Sequence, residues 1–138
     1  MTQNEAFPAK SPLTGCHVEL HVTNLEAARA FYVDQLGLPI LQEAPAIGLL
    51  ALRVGGIRLS IFGDAKEKTG GSNVHLVLGT DDIEAAVDRL IGRGILFTGQ
   101  VTEAPGFCRF VQTHDPDGNL VEIAQYLRDP LAVFDTIA

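Results

Sequence analysis

From His17 the chain alternates: His17, Glu19 and His21 fall on one side of an extended segment, Val18, Leu20 and Val22 on the other. The period then changes. Asn24 offers a side-chain acceptor to the unpaired amides of a helix start. Leu25, Ala28, Tyr32 and Leu36 follow at helical spacing, up to a Gly37 placed for a left-handed cap. The same succession returns from His75: a short extended run, Asp81 or Asp82 as cap, Glu84 in the first turn, a stripe of Ile83, Ala86, Leu90 and Ile91, and Gly94 at the end. When His17 is laid on His75, identities fall at His17/His75, Leu20/Leu78, Glu26/Glu84, Ala27/Ala85 and Ala28/Ala86. One strand–cap–helix pattern written twice predicts an internal repeat.

Each helix is followed by three shorter extended segments. These are Ile40–Gln42, Gly48–Val54 and Ile57–Phe62 in the first copy, and Leu96–Gly99, Phe107–Thr113 and Leu120–Gln125 in the second. Gly55-Gly56 and the run His114-Asp115-Pro116-Asp117-Gly118-Asn119 supply turns. The expected fold is therefore α+β, two tandem βαβββ modules over about 15–64 and 73–127 within one domain spanning 15–127. Residues 1–14 read as an N-terminal extension, and 128–138 as a tail whose Leu131, Phe134 and Ile137 predict a short covering helix. The apolar strand faces must meet the helix stripes, which leaves the polar strand faces to look into a pocket.

Composition narrows the function classes. The 138 residues are 46% hydrophobic and carry a formal net charge of −7, a balance that repels nucleic-acid phosphates. No apolar run approaches the roughly 20 residues of a membrane helix. The N-terminus shows no secretory pattern, so the expected location is cytoplasmic. Cys16 and Cys108 form no zinc or redox motif and read as reduced.

Candidate chemistry sits on the polar strand faces. His17 and His75 hold equivalent places in the repeat, and Glu122, between the apolar Val121 and Ile123, points the same way. Two imidazoles and a carboxylate suit Fe, Mn, Zn, Co or Ni with positions left open. Glu19 lies on the face of His17, roughly 6.5–7 Å further along the strand. It reads as a base, as a fourth ligand, or as the partner of Arg58. His21 falls near the rim, and His114 directly precedes the turn. Phe62, Phe107 and Phe110 read as core, with room for one of them to line the pocket.

The motifs His17-Val18-Glu19-Leu20-His21-Val22-Thr23-Asn24-Leu25, Phe31-Tyr32, Leu36-Gly37-Leu38, His75 and Asp115-Pro116-Asp117-Gly118-Asn119-Leu120-Val121-Glu122 resemble the vicinal oxygen chelate superfamily over about His17 to Gln125. That group includes glyoxalase I, extradiol dioxygenases, fosfomycin-modifying enzymes and bleomycin-resistance proteins. The resemblance implies a half-open barrel around a pocket, one divalent metal per chain on His17, His75 and Glu122, and a homodimer. It implies a metalloenzyme acting as lyase, isomerase or dioxygenase on an oxygen-chelating small molecule, with the metal as Lewis acid and Glu19 as the candidate catalytic base. The alternative it implies is a protein that sequesters a drug or metabolite without catalysis.

Arg58, Ser60, Phe62, Gln112 and His114 are expected to line the pocket. Glyoxalase I carries a further Glu on the last strand of the first module, where this chain offers Ser60 or Leu59, so that activity is not expected. The Tyr of extradiol dioxygenases would fall at Gln112. The pocket Trp and Cys of the fosfomycin-type enzymes would fall at Arg58 and Ser60.

Overall fold

The computed structural model describes residues 12–13, 16–70 and 74–130. β1 (Val18–His21), β2 (Ile40–Ala44), β3 (Leu49–Val54) and β4 (Ile57–Phe62) form one sheet in the order β1-β4-β3-β2. β5 (His75–Gly79), β6 (Thr102–Ala104), β7 (Cys108–His114) and β8 (Leu120–Tyr126) form a second in the order β5-β8-β7-β6. In both, the first strand runs parallel to the last and the other pairs are antiparallel. This is the α+β architecture of two tandem βαβββ modules read from the repeat.

A helix follows the first strand of each module, as the repeat predicts. Asn24 caps α1 (Leu25–Arg29) by accepting the Ala27 amide at 3.0 Å. Asp82, rather than Asp81, caps α2 (Ile83–Gly92) by accepting that of Ala85 at 3.2 Å. Beyond Arg29 the first helix widens into a π turn over Ala30–Gln35, where the Leu36 amide reaches back five residues to the Phe31 carbonyl at 2.9 Å. The extra residue rotates the helix face, so that Phe31 joins Tyr32 in the core.

The helix-facing sides of both sheets supply one continuous core. Leu50, Leu52, Leu59 and Ile61 of the first sheet join Leu78, Val111, Val121 and Ile123 of the second, with Tyr32, Ile83, Leu90 and Ile95 between them. Each buried aliphatic side chain contributes about 1.5–3 kcal/mol. A polar clasp also fastens the modules at the 115–119 turn. Asp115 accepts from the Tyr32 hydroxyl at 2.7 Å, and Asp117 accepts from the Thr23 amide at 3.0 Å and its hydroxyl at 3.3 Å. Gly70 crosses this turn so closely that a Cβ there would lie 2.4 Å from the Gly118 carbonyl carbon.

Two details differ from the sequence reading. Leu96–Gly99 is not a strand: Leu96 is 83% exposed, and the segment is tied to β7 by Thr98 amide to Gln112 carbonyl (2.9 Å) and Thr113 hydroxyl to Leu96 carbonyl (2.7 Å) instead of a ladder. Pairing starts later, at Thr102 opposite Phe110. β2 contains a bulge, since Ile40 opposes Leu52 but Gln42 opposes Ala51. The expected tail helix falls on 131–138, and most of the expected extension on 1–11 and 14, outside the described residues.

Candidate functional site

On the first sheet the face turned away from the core carries the polar residues of the alternation. Register aligns Glu19, Ser60, Ala51 and Gln42 across the four strands. Glu19 lies between two imidazoles: its Oε2 is 3.1 Å from His17 Nε2, and its Oε1 is 3.5 Å from His21 Nε2. The His17 contact holds the Glu19 carboxyl below the usual carboxylate range. His21 stacks on Phe62 with ring centroids 5.4 Å apart, and its Nδ1 meets Asp64 Oδ1 at 2.7 Å. That contact with Asp64 raises the His21 pKa. The expected alternative, a Glu19–Arg58 pair, does not form. Arg58 instead donates from Nε to Ser60 Oγ at 3.0 Å and from Nη2 to Gln42 Oε1 at 3.1 Å.

The second sheet repeats the geometry with different chemistry. Val77, Glu122 and Gln112 stand in one row, and His75, Leu120 and His114 in the next. Gln112 Nε2 donates to Glu122 Oε1 at 2.9 Å. Cys108 and Tyr126 face each other on the same side. Burial, with a smaller contribution from the Glu122 charge, raises the pKa of both the thiol and the phenol. A cleft of about 720 Å³ reaches this face at Val77, where β5 passes the β3–β4 turn. Glu19 and Val77 are repeat equivalents opposite Ser60 and Glu122, so Ser60, and not Leu59, holds the place of Glu122 in the first module. No carboxylate stands there.

The candidate ligands divide between the sheets. His75 and Glu122 lie on neighbouring strands of one face, two residues out of step. His17 stands at the equivalent place of the other sheet. Among the described residues no three His, Cys, Asp or Glu side chains come together in a group able to hold a metal ion. Within a single chain, then, the donor set does not fit the expected three-ligand ion.

Sequence reasoning missed Gln42 and Asp64. In unbroken alternation Gln42 would share the core face with Ile40, and the bulge that turns it outward has no local signature. Asp64 follows the end of β4, beyond any periodic pattern.

Residues 16–123 match the family model of the Glyoxalase/Bleomycin resistance protein/Dioxygenase superfamily. A protein described as a probable lactoylglutathione lyase, from Vibrio cholerae, is 30% identical over 125 residues, covering 79% of this chain and 88% of that one. Among solved structures, the antibiotic-binding protein TnmS3 from Streptomyces sp. CB03234 superimposes with a TM-score of 0.70 at 25% identity, covering 85% of this chain and 99% of the other. A glyoxalase/bleomycin resistance protein/dioxygenase from Nocardioides gives a TM-score of 0.69 at 21% identity, covering 96% and 99%.

Proposed function

Because the chain belongs to the Glyoxalase/Bleomycin resistance protein/Dioxygenase superfamily, we propose that it is a cytoplasmic small-molecule enzyme of lyase or isomerase type, moving a proton on a substrate bound at the open sheet faces. The observation that carries this is the Glu19 carboxylate set between His17 and His21. An ionised carboxylate on an open face is a proton acceptor, and the His17 contact at 3.1 Å keeps it ionised. Substrate is oriented by the polar residues beside it, Arg58 on the first sheet and Gln112 on the second, while buried Ser60 holds Arg58 in place. Ser60 in place of a carboxylate sets the chain apart from glyoxalase I, and no lactoylglutathione formation is expected.

The proposal includes a homodimer. A second copy that sets its first sheet against this chain's second sheet adds the imidazole of its own His17 to His75 and Glu122. That completes two imidazoles and a carboxylate, the set that suits Fe, Mn, Zn, Co or Ni. Bound there, such an ion supplies polarisation of a substrate oxygen. Native mass spectrometry with metal analysis, on protein purified without chelators, is expected to give a dimer with one ion per chain. His17→Ala, His75→Ala and Glu122→Ala should each lose the ion. Full metal retention in all three variants sinks the ligand assignment, and a monomer of 14.8 kDa sinks the dimer.

Catalysis is tested by solvent-deuterium exchange, followed by proton NMR, into a panel of α-hydroxy ketones and α-keto aldehydes. Glu19→Gln is expected to slow exchange by about 10²–10⁴-fold; an unchanged rate removes Glu19 as the base. The likeness to an antibiotic-binding protein at 25% identity favours sequestration as the second reading. It is selected by saturable ligand binding without exchange in the wild type.

A further inference from the structure

We infer that Arg58 anchors an anionic group, a carboxylate or phosphonate, of the small molecule bound on the open face of the first sheet. The inference rests on reading that face as the site, and it adds the substrate's charge.

Three arginines are partly buried: Arg29, Arg58 and Arg109. Two of them have acidic partners, Arg29 with Glu43 at 3.0 Å and Arg109 with Glu84. Arg58 has only the neutral oxygens of Ser60 and Gln42, and among the described residues no carboxylate forms an ion pair with it. The nearest strand offers one, because Glu19 pairs in register with Ser60. Glu19 nevertheless turns to the two histidines. A permanent cation partly withdrawn from water and held only by neutral oxygens lacks a counter-charge, which an arriving anion supplies.

The surroundings of Arg58 hold its plane and leave its recognition edge open. Ser60 is 3% exposed and fixes Nε, while Gln42 fixes one N–H of Nη2. Gln42 reaches this face only because the β2 bulge turns it away from the core side on which Ile40 lies; bulges are a recurrent means of re-aiming a side chain beside a site. Of the five guanidinium N–H donors, the two bonds leave three for a ligand. A planar fork of this kind matches a carboxylate or phosphonate with two parallel bonds. Arg58 is two residues before Ser60, level with His17 on the neighbouring strand. An anion held there places the adjoining carbon of the ligand beside Glu19, so the preferred substrate carries its charge next to the reacting centre.

Calorimetric titration of the full chain with benzoate, phenylphosphonate and the neutral benzamide tests this. Wild type is expected to bind at least one of the two anions about tenfold or more tightly than benzamide, and which anion wins distinguishes carboxylate from phosphonate. Arg58→Gln should abolish the preference, and Arg58→Lys should keep only part of it. Gln42→Met, which leaves the charge but frees the fork, should weaken anion binding several-fold with an unchanged circular dichroism spectrum. No anion preference in wild type overturns the anchor. So does a preference undiminished in Arg58→Gln or, should that variant not fold, in both Arg58→Lys and Gln42→Met. Equal binding of all three probes with Glu19-dependent exchange intact overturns the anchor alone. Anion preference kept while exchange ignores Glu19 overturns the catalytic reading alone.

Discussion

The Tyr32 hydroxyl donates to Asp115 where both residues are buried. Asp115 also accepts from the amides of Asp117 and Asn119 and from the Asn119 side chain, at 2.8–2.9 Å. Burial and the adjacent Asp115 charge raise the phenol's pKa, so it stays a donor throughout the working pH range. Tyr32→Phe removes a bond to a buried charge and should cost about 1.5–3 kcal/mol, read as a lower urea midpoint at unchanged slope. A midpoint equal to wild type would show that water replaces the hydroxyl. His21 is the residue whose titration is most open to test. Its pKa is raised above 6.5, chiefly by Asp64, so the pair stabilises the fold below pH 6.5 and the contribution is lost as pH rises through the raised value. Asp64→Asn should move the His21 midpoint, followed by NMR, down towards 6.5, and should reduce stability at pH 5.5 relative to pH 8.5. A midpoint that stays in place means Asp64 is not the cause.

At the scale of elements, the strands and helices that alternate or repeat cleanly were legible. β1 and β4 show polar and apolar sides, and both helix starts carry a capping side chain at the expected place. What escaped were local departures from period. The π turn inserts a residue into a stripe that reads as ordinary helix, and the β2 bulge reverses the facing of Gln42. The run at 96–99 has strand-like residues but meets β7 through isolated bonds. Gly37 ends the first helix as its position suggested, at φ +78°. Gly37→Ala forces a Cβ into the left-handed region, at a cost of about 1–2 kcal/mol. It also brings that atom within 2.8 Å of Arg93 Nη1, which a flexible guanidinium can vacate. Thermal unfolding should therefore show the same loss in Gly37→Ala whether residue 93 is Arg or Ala; rescue by Arg93→Ala would place the cost in the contact instead.

For the molecule as a whole, the repeat announced two like sheets, and alternation put His17, Glu19, His75 and Glu122 on the polar strand faces, which were expected to converge in one pocket. Their separation could not be read, because it depends on how two modules dock, and that docking depends on contacts between residues distant in sequence. Thr23 with Asp117 and Tyr32 with Asp115 are the clearest of these. The clasp also makes the duplication lopsided. The first module's hairpin turn, Gly55-Gly56, has no acidic side chain to offer, whereas the second module's turn is shaped to fit the first. Each half thus carries an address for the other and none for its own kind. Separately produced pieces covering 1–70 and 74–138 should find one another when refolded together, giving a one-to-one complex by size-exclusion chromatography. Asp115→Ala combined with Asp117→Ala in the second piece should prevent that meeting, and pairing that survives both changes would mean the apolar core alone recognises its other half.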